Sequence, residues 1–149
     1  RDGVPYDLIS KSLPTVEGAV NDILAQVVDF SIVFTMNGKD IDTHIVYDDD
    51  RIWSLELSSG MERFISSLAI RIGLMNVSNL PQGNFLAIDE GWGTMDSDNL
   101  NSVAQLFQYL KSQFQFTFVV SHIETMRDFV DTLLEIKKVD GSSSVRFSR

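Results

Sequence analysis

The sequence predicts an α/β fold in which a β-hairpin precedes a parallel βαβ core with flanking helices. Three observations predict it. Two alternating stretches, 30–36 and 41–47, flank an Asn37-Gly38 turn signal, the pattern of a hairpin. Two short continuous apolar runs, 85–88 and 116–120, lie on either side of one amphipathic helix-length segment, a spacing that suits parallel pairing across a helical crossover. Helical periodicity covers 5–29, 59–77 and 97–112.

Taken in order, 5–29 carries Val16, Val20, Ile23 and Val27 at helical spacing, and Pro14 is expected at a helix start or a kink. In 30–36, Phe30, Ile32, Phe34 and Met36 fall on one face of a half-buried strand. Asp48-Asp49-Asp50 reads as a charged turn, and 52–57 as a third short strand. Ser59 opens the next helix, with Ser59 and Glu62 at capping-box spacing and Phe64, Leu68, Ile72 and Met75 as its apolar face. Pro81-Gln82-Gly83-Asn84 is a loop. The run 85–88 (FLAI) reads as a strand buried on both faces. The helix 97–112 points Leu100, Val103, Phe107 and Leu110 inward. After the strand 116–120 come a short helix (123–130), a strand (132–138) and a hairpin through Asp140-Gly141.

The chain has 149 residues, which suits one domain, and 44% of them are apolar, enough for a core. It contains no cysteine, which removes disulfides and thiolate metal sites, and two histidines do not make a His-rich zinc site. No apolar run approaches the roughly 18 residues of a membrane-spanning helix, and no signal peptide is visible. An intracellular location, cytoplasmic, nucleoid or nuclear, is therefore expected. A net charge of −9 is wrong for a free-standing DNA binder, which must neutralise phosphates. Opening on Arg1 rather than Met is expected of a segment of something longer.

The chemistry concentrates at the ends of the two buried strands. Residues 84–98 hold Asp89, Glu90, Asp96 and Asp98 and no Lys or Arg. Adjacent carboxylates after a buried strand need a cation or donors, and ligands gather at the carboxyl ends of strands in α/β sheets. Magnesium, a hard ion, would be held by one carboxylate, leaving the other to orient or deprotonate a water. An isolated Asp-Glu pair is an ordinary turn, and a lone histidine an ordinary hydrogen-bonding residue. Here the second strand also ends in a polar group, Val120-Ser121-His122, which parallel pairing would bring beside Glu90.

These residues resemble those of an ABC-type ATPase. The strand ending in Asp89-Glu90 resembles Walker B, Gly93-Thr94-Met95-Asp96 the D-loop, and Val120-Ser121-His122 the switch histidine. Ser58-Ser59-Gly60-Met61-Glu62-Arg63-Phe64 resembles the signature motif, with Met61 where a second glycine is usual. The run 89–96 (DEGWGTMD) is similar to the DEGFGTLD of the SMC-like repair ATPases, the SbcC and Rad-fifty family, with Trp92 in place of Phe. Ser67-Leu68-Ala69-Ile70-Arg71 is similar to the SLALR run of the same family. The resemblance covers roughly residues 55–136 strongly. It implies the C-terminal lobe of a P-loop ABC-type head over 30–149 and the foot of a coiled-coil helix over 1–29.

It further implies roles. Asp89 would hold Mg2+, Glu90 would polarise the attacking water, and His122 would contact the γ-phosphate of ATP. Ser59, Gly60, Met61 and Asp96 would meet ATP across a head dimer. Ser59 is equally a helix cap, and Asp96 equally an N-cap of the following helix. No P-loop of the form G-x-x-x-x-G-K-[ST] occurs, and the one Gly-Lys, Gly38-Lys39, is a hairpin turn. The implied partners are an N-terminal Walker A lobe on the same or another polypeptide, a second copy of the head and a calcineurin-like nuclease subunit. DNA would be met mainly through other regions, and no membrane is implied. Three readings stand beside this one: an SMC, RecF-like or transporter head, a non-catalytic dimerisation scaffold, and a stand-alone magnesium hydrolase using Asp89, Glu90 and Asp96.

Overall fold

The computed structural model describes residues 3–48, 51–90 and 100–148. The first helix, α1 (Gly3–Leu24), buries Val20, Ile23 and Leu24, while Leu8 and Ile9 in its first half stay exposed. Its end comes earlier than the periodicity to residue 29 suggests, because Val27 enters the core from the turn after the helix. Pro14 lies inside the helix rather than at its start.

A three-stranded antiparallel sheet follows, β1 (Ser31–Asn37), β2 (Asp40–Asp48) and β3 (Arg51–Ser54), in that spatial order. Asn37 pairs with Asp40 around a two-residue loop in which Gly38 has φ +62°, a conformation that costs glycine little. The expected third strand over 52–57 is shorter: Ser54 caps Glu56 N–H, and Leu55–Leu57 coil into a 3-10 turn.

β1 would be an open edge, but α1 covers it. Asn21 Nδ2 donates to Ile32 O (2.9 Å) and Asn21 Oδ1 accepts from Ile32 N (2.8 Å), and one helical turn away Glu17 Oε2 accepts from Phe34 N (2.7 Å). Side chains at i and i+4 share a helix face and residues at j and j+2 point their amides the same way, so the two spacings match.

α2 (Gly60–Val77) buries Met61, Ile65, Leu68 and Ile72. Ser66, Ala69 and Gly73 form a small-residue face, and a Cβ on Gly73 would lie 2.7 Å from Val20 Cγ2 of α1. Gly73→Ala is therefore expected to destabilise the fold by about 1–3 kcal/mol through overpacking. Thermal unfolding reads this, and Val20→Ala in the same chain should recover part of the loss.

β4 (Phe85–Asp89) and β5 (Phe116–Val120) pair in parallel from Phe85↔Phe116 to Asp89↔Val120, connected through α3 (Leu100–Gln113). α3 buries Val103, Leu106, Phe107 and Leu110, as its period requires, but Leu100 is half-exposed on the first turn. The strands are not buried on both faces as their apolar runs suggest. Leu86, Ile88 and Val119 pack on the core, whereas Phe85 (60% exposed), Phe116 (59%), Phe118 and Val120 form an uncovered face. A 3-10 turn (Glu124–Phe129) leads to a hairpin of β6 (Leu133–Val139) and β7 (Ser142–Ser148), turning at Asp140 and Gly141 with positive φ. Arg127 Nη2 bonds Glu135 Oε1 at 2.7 Å, tying this hairpin to the turn before it. Among the described residues no helix is long and apolar enough to cross a membrane.

Candidate functional site at the strand ends

The parallel register brings Asp89 level with Val120 and carries the ladder one residue further, Glu90 N–H donating to Val120 O at 3.0 Å. Glu90 then adopts φ +56°. A left-handed conformation at a non-glycine residue costs about 1–2 kcal/mol and persists where surrounding structure imposes it. Here it ends the strand and sets the carboxylate beside His122, whose Nδ1 lies 3.3 Å from Glu90 Oε1. A carboxylate only accepts, so His122 donates through Nδ1, which leaves Nε2 for a second partner. Both side chains are open to solvent, Glu90 61% and His122 81% exposed.

Asp89 is exposed at the end of β4, next to Glu90. The described residues hold no group of three His, Cys, Asp or Glu able to cage a metal by themselves. A magnesium ion does not need one, since it takes one or two carboxylates and fills its shell with water and phosphate oxygens. The donor at Asp89 fits that chemistry. Asp96 and the D-loop-like run 93–96 lie outside the described residues.

Ser59 stands as N-cap of α2, its Oγ accepting from Glu62 N at 3.2 Å while Glu62 Oε2 accepts from Ser59 N at 2.6 Å. This is the reciprocal capping box expected from the sequence. Gly60 is exposed, with nothing within 4 Å of where a Cβ would stand. The Met61 side chain is only 4% exposed and packs in the core, so only its backbone can face a ligand. That burial accounts for an apolar residue at this position of the signature-like run.

The structure brings Glu90 and His122 into contact and sets Gly60, Asp89 and Glu90 along one open groove of about 770 Å³ between α2 and β4. Arg63 and Arg71 line the same groove. Both arginines fall in the runs 58–64 and 67–71 without a role assigned to them there, and 63, 67 and 71 recur at the four-residue spacing of one helix face. A second hollow, of about 810 Å³, is lined by Phe116, Phe118, Val120, His122, Phe129 and Phe147, and so runs from the uncovered sheet to the site.

Tyr47 joins the site with no motif to mark it. Its hydroxyl donates to Glu62 Oε1, the carboxylate that caps Ser59. Burial, then the hydrogen bond to Glu62 and that carboxylate's charge, push the Tyr47 hydroxyl up to about 12, against the opposing pull of Arg51. Burial would push the Glu62 carboxyl up, but the bonds from Tyr47 and from the Ser59 backbone and hydroxyl outweigh it and hold the carboxyl below its ordinary value. A proton held more tightly in the folded state stabilises fully below the ordinary tyrosine value of 10.0 and is lost as pH rises through about 12. Stability should therefore fall between those values, and fall less in Tyr47→Phe, as chemical unfolding at a series of alkaline pH values would show.

No family model matches the chain. It is 35% identical over 160 aligned positions, 97% of its length, to R555, an uncharacterised protein of Acanthamoeba polyphaga mimivirus. It is 30% identical over 118 positions, 76% of its length, to the SbcC component of the nuclease SbcCD of Staphylococcus aureus. The chain spans 12% of the length of each of these relatives. Among solved structures, one from work on ATP-driven dimerisation and DNA-stimulated activation of SMC ATPases superposes with a TM-score of 0.76 over 96% of this chain and 89% of its own, at 16% identity. The SMC head domain of Thermotoga maritima superposes with a TM-score of 0.65 over 97% of this chain and 51% of its own, at 21% identity. Homology to SbcC over 76% of the chain, together with the fold of SMC head domains, is consistent with the C-terminal lobe of an SMC-like ATPase.

Proposed function

We propose that this chain is the C-terminal half of an ATP-hydrolysing head that engages a second head through ATP and controls a partner nuclease on DNA ends. The observation that carries the reading is the Glu90–His122 pair at the carboxyl ends of two adjacent parallel strands, with Asp89 beside it. In this reading Glu90 orients the attacking water and takes its proton, a task for a carboxylate that is solvent-accessible and held by one hydrogen bond. As an imidazolium, His122 donates from Nε2 to the γ-phosphate while Nδ1–H stays on Glu90, and Asp89 holds Mg2+. Bound there, the ion would neutralise charge developing on the phosphates.

The β-phosphate is not cradled by this chain, which has no P-loop. A Walker A lobe on the same or another polypeptide supplies it and covers Phe85, Phe116 and Phe118, whose exposure supports a missing layer. Ser59, Gly60 and the Met61 backbone, at the N-terminus of α2, meet the γ-phosphate held by the opposite head, since free N–H groups and the positive end of a helix favour an anion. Asp96 lies at that same head–head interface. The relative that is part of a nuclease supports a calcineurin-like nuclease partner, and the net charge of −9 supports DNA contact mainly through other regions.

Ser59→Asp separates the cap from the phosphate role. Aspartate caps a helix as well as serine, so thermal stability should hold, but its charge would repel a phosphate. The complete head, with its Walker A lobe, should double in mass on adding Mg-ATP, and the Ser59→Asp head should not. A variant that still doubles would leave Ser59 as a cap alone.

A further inference from the structure

We infer that Tyr47 is a positioning residue for the Ser59–Gly60 helix terminus, acting through Glu62. The inference rests on the reading of Ser59 as a phosphate contact. Glu62 carries two duties on its two oxygens: Oε2 accepts the Ser59 backbone N–H at 2.6 Å, and Oε1 accepts the Tyr47 hydroxyl. A capping glutamate on its own is free to swing among rotamers, since one hydrogen bond to a backbone N–H fixes neither its χ angles nor the plane of its carboxylate. The second bond, from a different element, fixes that plane. It turns a local cap into a tie between α2 and β2.

Tyr47 is itself held. Its ring stacks on Trp53 of β3 (centroids 5.3 Å apart) and tilts against Phe30 (5.5 Å), and the Arg51 guanidinium sits 5.5 Å from the ring centre. The anchor therefore belongs to the sheet whose first strand is clamped by Glu17 and Asn21 of α1. The Ser59 N–H and hydroxyl are thereby set by the sheet and not by the helix alone. A helix terminus that binds phosphate through preorganised donors gains affinity in proportion to how little those donors must reorganise, and Tyr47 supplies that order without touching the ligand.

Tyr47→Phe removes the hydroxyl and keeps the stacked ring, so the test isolates the hydrogen bond. In the complete head, the concentration for half-maximal ATP-dependent dimerisation should rise about 5–10-fold, the net scale of one ordinary intramolecular hydrogen bond. ATP binding to the undimerised head, which relies on the Walker A lobe, should be unchanged. A residue that only supported folding would lower both. In the chain by itself, carbon-detected NMR titration should show the Glu62 carboxyl moving up, and the Ser59 amide should exchange with solvent faster while the Leu68 amide does not. Glu62→Ala combined with Tyr47→Phe should be no worse than Glu62→Ala alone, because both act through one bond chain. Dimerisation unchanged by Tyr47→Phe, or effects of the two changes that add, would overturn the inference. Ser59→Asp run in parallel identifies which step failed: if it blocks dimerisation while Tyr47→Phe does nothing, the phosphate reading stands and the Tyr47 role falls. If Ser59→Asp has no effect, the phosphate reading falls and the Tyr47 role with it.

Discussion

Glu90→Gln in the complete head is expected to lower ATP turnover about 10²–10⁴-fold, the range by which a positioned proton acceptor contributes. Glutamine has the same size and keeps a carbonyl oxygen to accept from His122 Nδ1, so the 3.3 Å contact can survive. It cannot take a proton from water. The φ of +56° is as strained for glutamine as for glutamate, so stability should move by no more than about 0.5 kcal/mol, as at exposed sites generally. Phosphate release beside a thermal melt checks both halves. ATP binding and ATP-dependent dimerisation should persist, and dimers should accumulate because they no longer turn over. Turnover at the unsubstituted rate would leave the chain a dimerisation scaffold.

Asn21→Ala is expected to cost about 2–4 kcal/mol, because it orphans a donor and an acceptor at once and each buried orphan costs about 1–3 kcal/mol. Ile32, whose N–H and C=O the Asn21 amide satisfies, is fully buried, so water cannot replace the lost partners without opening the α1–β1 contact. Asn21→Asp keeps an acceptor for Ile32 N–H but sets a carboxylate oxygen against Ile32 O, so it too should lower stability, by at least about 1–3 kcal/mol. Urea midpoints order the three proteins, and equal midpoints would mean that the edge of β1 is solvated in solution.

Local patterns are legible where a short stretch carries its own period or punctuation. The Asn37-Gly38 hairpin, the Ser59–Glu62 capping box and the parallel pairing of 85–89 with 116–120 all appear as expected. Glu90 beside His122 follows from that pairing, since a shared register carries two strand ends to the same level. Contacts between elements distant in the chain are another matter. The Asn21 clamp on Ile32, the Gly73–Val20 approach and the Tyr47–Glu62 bond join residues 11, 53 and 15 positions apart, and no periodicity of one segment encodes them. The uncovered face of β4 and β5 departs from expectation for a related reason. An apolar run reports that a strand is to be covered on both faces, and it does not report whether the covering layer lies in the same chain. Phe116 and Phe118 carry the apolar character of a central strand, yet they stand open here.

The central claim, that Asp89, Glu90 and His122 are half of an ATP site, is tested most directly by measuring Mg-ATP hydrolysis before and after a Walker A lobe is added to this chain. The account predicts no turnover from the chain alone, turnover on addition of the lobe, and loss of that turnover with Glu90→Gln. Hydrolysis by the chain alone, at a rate the lobe does not change, would contradict it.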